Sequence, residues 1–257
     1  MRIKILISLT AQIAIWKQEE EKPFSGWDFS YLDGRWKVEQ PPWDYFSRAA
    51  ELMQQSSSAI DMGTGGGEEL LRLKKYWPQK ITATESYLPN LKLAIERLRP
   101  FGVKVVDVPI NEDNLMPFTD NKFELVLNRH SGFNPSEVAR ILAPGGIFLT
   151  QQVHGLSFYE LMSCFQAKSQ YPEATLENYL PKLKTAGLKI VNTQEWSGKI
   201  SFTDVGAMVY YLKAIPWVVP GFSVETHSKY LLSLQECLEN GEALTFTTRQ
   251  YLIEARK

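Results

Sequence analysis

Asp61-Met62-Gly63-Thr64-Gly65-Gly66-Gly67 is the stretch whose reading decides the fold. It follows the apolar run Ala59 to Met62 and precedes a helical pattern that opens with Glu68 and Glu69. Glycines at such a junction let the chain turn sharply from strand to helix and let a ligand approach the backbone, while the helix start offers free N–H groups. The dinucleotide fingerprint would place glycine where Glu68 stands, and two acids at the helix start would repel a pyrophosphate. No Gly-Lys-Ser or Gly-Lys-Thr closes the loop, so a P-loop is excluded.

Outward from this turn, short β-rich runs alternate with helical stretches at the spacing of βαβ units. Strands are expected at Ala59 to Met62, Lys80 to Thr84, Val103 to Val108, Phe123 to Leu127, Ile147 to Val153, Leu188 to Glu195 and Leu244 to Ala255. Helices are expected at Glu68 to Tyr76, Leu88 to Arg99, Pro135 to Leu142, Leu156 to Lys168 and Leu176 to Ala186, the last stopped by Gly187. The expected architecture is α/β: a doubly wound, Rossmann-like, seven-stranded, mainly parallel sheet whose last strand is antiparallel, with helical N-terminal and inserted lid segments.

Two aromatic-rich segments stand outside the alternation. From Trp27 to Phe46 lie seven aromatic residues in 20, where even usage would give about two. Between the last two strands, at about 197–241, the pattern reads as two helices, Asp204 to Ile215 and Val224 to Glu239, separated by Pro216, Trp217, Pro220 and Gly221. These segments are the expected acceptor-binding parts, and the chain divides into an aromatic-rich extension at 1–57 and a main domain at 58–257 carrying the lid insertion.

The first motif resembles that of class I S-adenosylmethionine (SAM)-dependent methyltransferases, matching their acidic-x-Gly-x-Gly-x-Gly pattern position by position. Four further landmarks follow in order. Glu85 closes the second strand, 24 residues after Asp61. An acidic stretch, Asn111-Glu112-Asp113-Asn114, precedes Leu115-Met116-Pro117-Phe118. Then come Phe123 to His130 and Glu137 to Gly146, the latter similar to the type-11 methyltransferase group. The resemblance covers roughly residues 59–153. It implies that SAM is the cofactor, with Asp61, Gly63, Thr64, Gly65 and Gly66 around its methionine part and Glu85 accepting from the ribose hydroxyls. Adenine contacts are implied at Glu112 or Asp113, and a further cofactor contact at Asn128.

Methyl transfer asks the protein mainly to align donor and acceptor, with a general base where the acceptor carries a proton. Of three histidines, His130 and His154 fall at the ligand-binding edge of the sheet, and His130 is the first choice for a base. Tyr31, Trp36, Tyr210, Tyr211 and Trp217, with His154, are the expected pocket lining. The alternatives are ordinary core packing for the aromatics and a structural role for His130.

The balance of 28 basic and 29 acidic residues lacks the footprint of phosphate-backbone binding, so a small-molecule acceptor is expected over nucleic acid. The competing functions are an RNA or protein methyltransferase, a SAM-binding protein without catalysis, and a dinucleotide oxidoreductase. Cys164 and Cys237 form no metal-ligand spacing, no metal is expected, and a reducing cytoplasm fits best. The opening run of residues 3–16 is too short to span a bilayer, which takes about 20 apolar residues, and is expected to be a packed helix or strand rather than a membrane segment or export signal. Nothing in the pattern speaks to oligomeric state.

Overall fold

A computed structural model describes residues 9–109 and 115–257. Glu112 and Asp113, and the first part of the opening apolar run, lie outside the described residues. Eight strands form one sheet: β1 (Trp36–Val38), β2 (Ser58–Met62), β3 (Lys80–Glu85), β4 (Lys104–Asp107), β5 (Phe123–Arg129), β6 (Leu142–Val153), β7 (Lys189–Phe202) and β8 (Leu244–Arg256). Their order is β1-β7-β8-β6-β5-β2-β3-β4. The pairs among β2, β3, β4, β5 and β6 are parallel, and β8 runs antiparallel to both β6 and β7. The expected mainly parallel sheet is thus present, with one additional antiparallel edge strand, β1 on β7.

Central strands of a parallel sheet are covered on both faces and read as continuous apolar runs. Leu125, Val126 and Leu127 of β5 are accordingly all buried. One face packs α2 (Tyr45–Gln54) and α4 (Leu88–Leu98), through Ala49, Met53 and Leu98, against Ala59, Ala83 and Leu127. The other packs α5 (Pro135–Ile141) and α7 (Leu176–Thr185), through Val138, Ile141 and Leu183, against Ile60, Val126 and Phe148. Side-chain caps fix where these helices begin: Asp44 accepts from the Ser47 N–H, Asn134 from Ser136 and Glu137, and Thr175 from Asn178.

Several boundaries differ from the sequence reading. β7 runs to Phe202 instead of stopping at Glu195, because Ser197-Gly198 is not a turn. The missing side chain at Gly198 makes room for the Trp196 ring, and the strand continues with Ile200 and Phe202 buried between more exposed neighbours. The β6–β8 ladder ends at Val153 and Gln250, yet β7 and β8 stay paired to Phe202 and Leu244. This arm, joined by β1 at Ile200–Phe202, extends past the end of β6, and the insertion it carries begins after Phe202. Leu156 to Lys168 yields only α6 (Tyr159–Cys164), since Phe158 and Gln166 adopt left-handed φ at either side of it. Glu68 to Tyr76 divides into α3 (Glu68–Arg72) and a 3-10 turn at Lys74–Tyr76.

The arm supports a second apolar core. It gathers α1 (Leu9–Glu20), β1, α6, α8 (Val205–Ala214) and α9 (Val224–Glu239) around Trp16, Leu32, Phe158, Leu161, Phe202, Met208, Tyr211, Leu231 and Phe246. Arg35 ties three parts of this layer together, reaching Glu19 of α1 at 3.1 Å and Asp204, the N-cap of α8, at 2.6 Å. The expected inserted helices are therefore present, and the opening segment joins them as a helix. α2 behaves otherwise: although it starts inside the aromatic-rich segment, it packs on the sheet. No helix among the described residues is long and apolar enough to cross a membrane.

Candidate functional site

The carboxyl ends of β2, β3, β5 and β6 meet where the strand order reverses beside β2, the position at which open α/β sheets bind ligands. Gly63, Gly65 and Gly67 all take left-handed φ, 69°, 63° and 83°, so the turn as built admits little but glycine at these points. The end of β3 holds it in place. The Thr64 N–H donates to the Thr84 carbonyl at 2.8 Å, the Gly63 N–H to Thr84 Oγ1 at 3.2 Å, and the Gly65 N–H to Glu85 Oε2 at 2.8 Å. The second oxygen of Glu85 accepts from the N–H groups of Ser86 and Tyr87, each at 2.8 Å. Glu85, 7% exposed, is thus the keystone of the turn as well as the strand-end acid.

A side chain at Gly66 would collide with the paired Glu68 and Arg97, and Arg97 also donates to the Gly66 carbonyl at 3.0 Å. Glu69 pairs with Arg72 at 2.6 Å. The two acids that would repel an anion are therefore both matched by arginines, so their charge discriminates against a pyrophosphate less than the bare sequence suggests.

Asp61 lies beneath the turn. Burial, reinforced by the nearby Glu85 and opposed by Arg129, pushes its carboxyl up to about 6. Asn128, fully buried, spends its side chain inside the sheet: Nδ2 donates to the Met62 carbonyl at 3.3 Å, while Oδ1 accepts from Thr150 Oγ1 at 2.9 Å and Gln152 Nε2 at 2.5 Å. It locks β2, β5 and β6 together at the site's floor.

His130 follows Arg129 with φ of 55°, an uncommon conformation outside glycine. Its ring is oriented by a network. An indole N–H can only donate, so the Trp43 Nε1 bond of 2.8 Å identifies the Gln151 oxygen. The Gln151 amide nitrogen then donates to Gln250 at 2.8 Å and faces His130 Nε2 at 3.1 Å, which makes the imidazole an acceptor there. His130 is exposed as a residue, yet the atoms crowded around its ring, and then the Arg129 charge, hold its pKa below the ordinary value, favouring the neutral form. His154 is buried, closes the turn after β6 by accepting the Leu156 N–H at 3.0 Å, and has its pKa lowered by burial.

The five aromatic lining candidates separate. Tyr210 and Tyr211 lie in the core of the second layer, Trp36 packs against Tyr211 with ring centroids 5.8 Å apart, and Tyr31 sits 4.7 Å from Tyr210 with its hydroxyl donating to Glu19. Trp217 alone reaches the glycine turn, through Trp27, their rings meeting edge-on at 5.8 Å. Trp27 touches the turn directly: a Cβ on Gly65 would stand 3.0 Å from its Cδ1. A separate half-open cavity of about 200 Å³ is lined by Leu156, Tyr159, Glu160, Thr247 and Arg249, where the β7–β8 arm leaves the sheet.

Residues 60–150 match the family model described as a methyltransferase domain. Over that stretch the chain is similar to methyltransferase domains. Solved structures share its fold. The YcgJ protein of Bacillus subtilis superposes with a TM-score of 0.60 at 17% identity, over 83% of this chain and 97% of that one. A protein of Bacillus halodurans C-125 described as a candidate methyltransferase gives 0.56 at 19% identity, over 82% and 96%. A candidate sarcosine dimethylglycine methyltransferase from Galdieria sulphuraria gives 0.52 at 16% identity, over 82% of each chain. No curated protein sequence matches the chain significantly.

This edge of the sheet also holds residues that sequence reasoning passed over. Trp27 belongs to the aromatic-rich segment but carries no signal that sets it apart from its neighbours. Tyr45, Arg97 and Arg129 lie in ordinary helix or strand patterns, and only folding brings them beside Asp61 and the glycines.

Proposed function

We propose that the protein transfers a methyl group from SAM to a small-molecule acceptor at the carboxyl edge of the sheet. The observation that carries this reading is the glycine turn fastened to Glu85 at the point where the strand order reverses. The residues present suit the cofactor. Glycine at 65 and 66 lets the backbone of the turn lie close under Trp27 and the Glu68–Arg97 pair, leaving main-chain atoms rather than side chains as its own surface. A carboxylate has about four acceptor positions. Glu85 uses three, which leaves one for a ribose hydroxyl without loosening the turn. Asp61 would face the methionine part.

When bound, the cofactor supplies an electrophilic methyl group and a built-in leaving group. The chain's own work is to bind, orient and exclude water. Trp27 and Trp217 cover the turn from the side of the second layer, and Trp36, Tyr210 and Tyr211 pack within that layer's core. His130 stands at the end of β5 as the base for an acceptor that must lose a proton. Its neutral imidazole is the form that can accept one, and since Nδ1 carries the hydrogen when Nε2 accepts from Gln151, Gln151 must release Nε2 for the base to act.

The near-balance of charge argues for a small acceptor over nucleic acid, and the two free cysteines fit a cytoplasmic enzyme. The reading is tested by thermal melting and by methyl transfer. SAM at about 100 times its dissociation constant stabilises by about 2.7 kcal/mol, and isotope from labelled methyl groups appears in small molecules of a metabolite extract. Label only in RNA or protein moves the acceptor to that class, and a melting response to NAD equal to that for SAM contradicts the donor.

A further inference from the structure

Arg129 is the last residue of β5, one step beyond the Met62–Asn128 pair and so level with Gly63, the first glycine of the turn. Its guanidinium stacks on the Phe46 ring at 5.0 Å. Arg72 shares that ring at 5.3 Å, but Arg72 has a partner in Glu69. Arg129 makes no ion pair or hydrogen bond among the described residues, and its Nε is buried without an acceptor. Asp61 and Glu69 are near enough to favour its charge and Arg72 opposes it, while burial, the largest influence, holds its pKa down. Beside it the Tyr45 hydroxyl is also buried with no acceptor for its hydrogen, while the Asn128 backbone N–H lies toward its oxygen and the Asp61 charge is nearby.

Two buried donors left open at one place are costly unless something completes them. A guanidinium is a planar fork, the shape that takes a carboxylate through two parallel N–H bonds. We propose that Arg129 and Tyr45 form a carboxylate seat beside the glycine turn, the guanidinium binding through its fork and the tyrosine hydroxyl donating a third bond. The proposal rests on the methyl-transfer reading for its location but is tested apart from it. Two sources offer this group, the amino-acid end of the methyl donor and an acidic acceptor.

The experiment compares wild type with Arg129→Gln, Arg129→Lys and Tyr45→Phe by calorimetric titration. The ligands are S-adenosylhomocysteine and 5′-methylthioadenosine, which lacks the amino-acid end. A seat for the donor predicts that Arg129→Gln weakens S-adenosylhomocysteine by about 10- to 150-fold, with methylthioadenosine affinity kept within about twofold. Tyr45→Phe repeats the selective loss at about tenfold, and Arg129→Lys recovers part of it because the point charge lacks the fork. A seat for the acceptor predicts unchanged affinity for both nucleosides. In that case sodium acetate, added at matched ionic strength to protein saturated with S-adenosylhomocysteine, raises the melting temperature of wild type but not of Arg129→Gln.

Equal loss of both nucleosides, or variants indistinguishable from wild type in all three responses, overturns the seat. If Arg129→Gln does not fold, Tyr45→Phe carries the same comparison. Wild type that binds neither nucleoside defeats the donor assignment, and acetate added to the ligand-free protein then decides the seat: a rise in melting temperature for wild type but not Arg129→Gln supports it, and no difference overturns it.

Discussion

Glu85→Ala removes the acceptor for three backbone N–H groups, those of Gly65, Ser86 and Tyr87. Gly65 is buried, and an orphaned buried donor costs about 1–3 kcal/mol. Ser86 and Tyr87 lie nearer solvent, where water replaces part of the bond, so about 0.5 kcal/mol each is expected. The ligand-free protein should thus lose about 2–4 kcal/mol, a drop of roughly 5–12 °C for a chain of this size. Glu85→Gln keeps one acceptor oxygen but turns an amide toward the N–H groups, and should lose about half as much. Urea denaturation with an unchanged m-value measures both. A loss under about 0.5 kcal/mol for Glu85→Ala, typical of an ordinary surface position, would refute the keystone role and return Glu85 to a plain strand-end acid.

Three further outcomes follow from the same edge. Asp61 has its carboxyl raised from 3.8 to about 6, chiefly by burial, so its contribution to stability is fully present below about pH 4 and is lost as pH rises through about 6. Asp61→Asn should remove that slope and stabilise the ligand-free protein at pH 7 by about 1–3 kcal/mol, the lower figure allowing for partial exposure, and denaturation at pH 4.5 and pH 7 with an unchanged slope would contradict it. The His130 imidazole, its pKa lowered first by burial and then by Arg129, should remain neutral as the pH falls through 6.5, and an NMR titration midpoint at or above 6.5 would dismiss that environment. Gly65→Ala forces a side chain into left-handed φ against Trp27 and should cost about 1–2 kcal/mol while shifting the Trp27 indole resonance; Gly102→Ala, also left-handed but with open space around it, should cost about 1 kcal/mol and leave that resonance unmoved.

The parallel half of the sheet was legible because buried strands announce themselves as unbroken apolar runs. Leu125-Val126-Leu127 needs no partner to be recognised. β1 was not legible: Trp36-Lys37-Val38 is too short to show a period and becomes a strand only because β7 extends far enough to pair with it. That extension was hidden in turn by Ser197-Gly198, a pair that ordinarily punctuates loops but here makes way for Trp196.

The glycine turn and Glu85 could be found because their roles depend on local backbone shape and spacing. Arg129 and Tyr45 are 84 positions apart in the sequence and meet only across the folded edge. The aromatic residues show a different ambiguity. Large rings fill cores as readily as they wall pockets, and composition cannot separate Tyr211, buried in the second layer, from Trp27, lying on Gly65.

The central claim is that the turn from Gly63 to Gly67, fastened to Glu85, holds SAM. Its most direct test is a crystal structure of the protein with S-adenosylhomocysteine, backed by parallel titrations with that ligand and with NAD. The account predicts saturable binding of S-adenosylhomocysteine alone, with its amino-acid end on the glycine turn and its ribose at Glu85. Failure to bind it, binding of NAD in its place, or a ligand seated away from the turn would contradict the account.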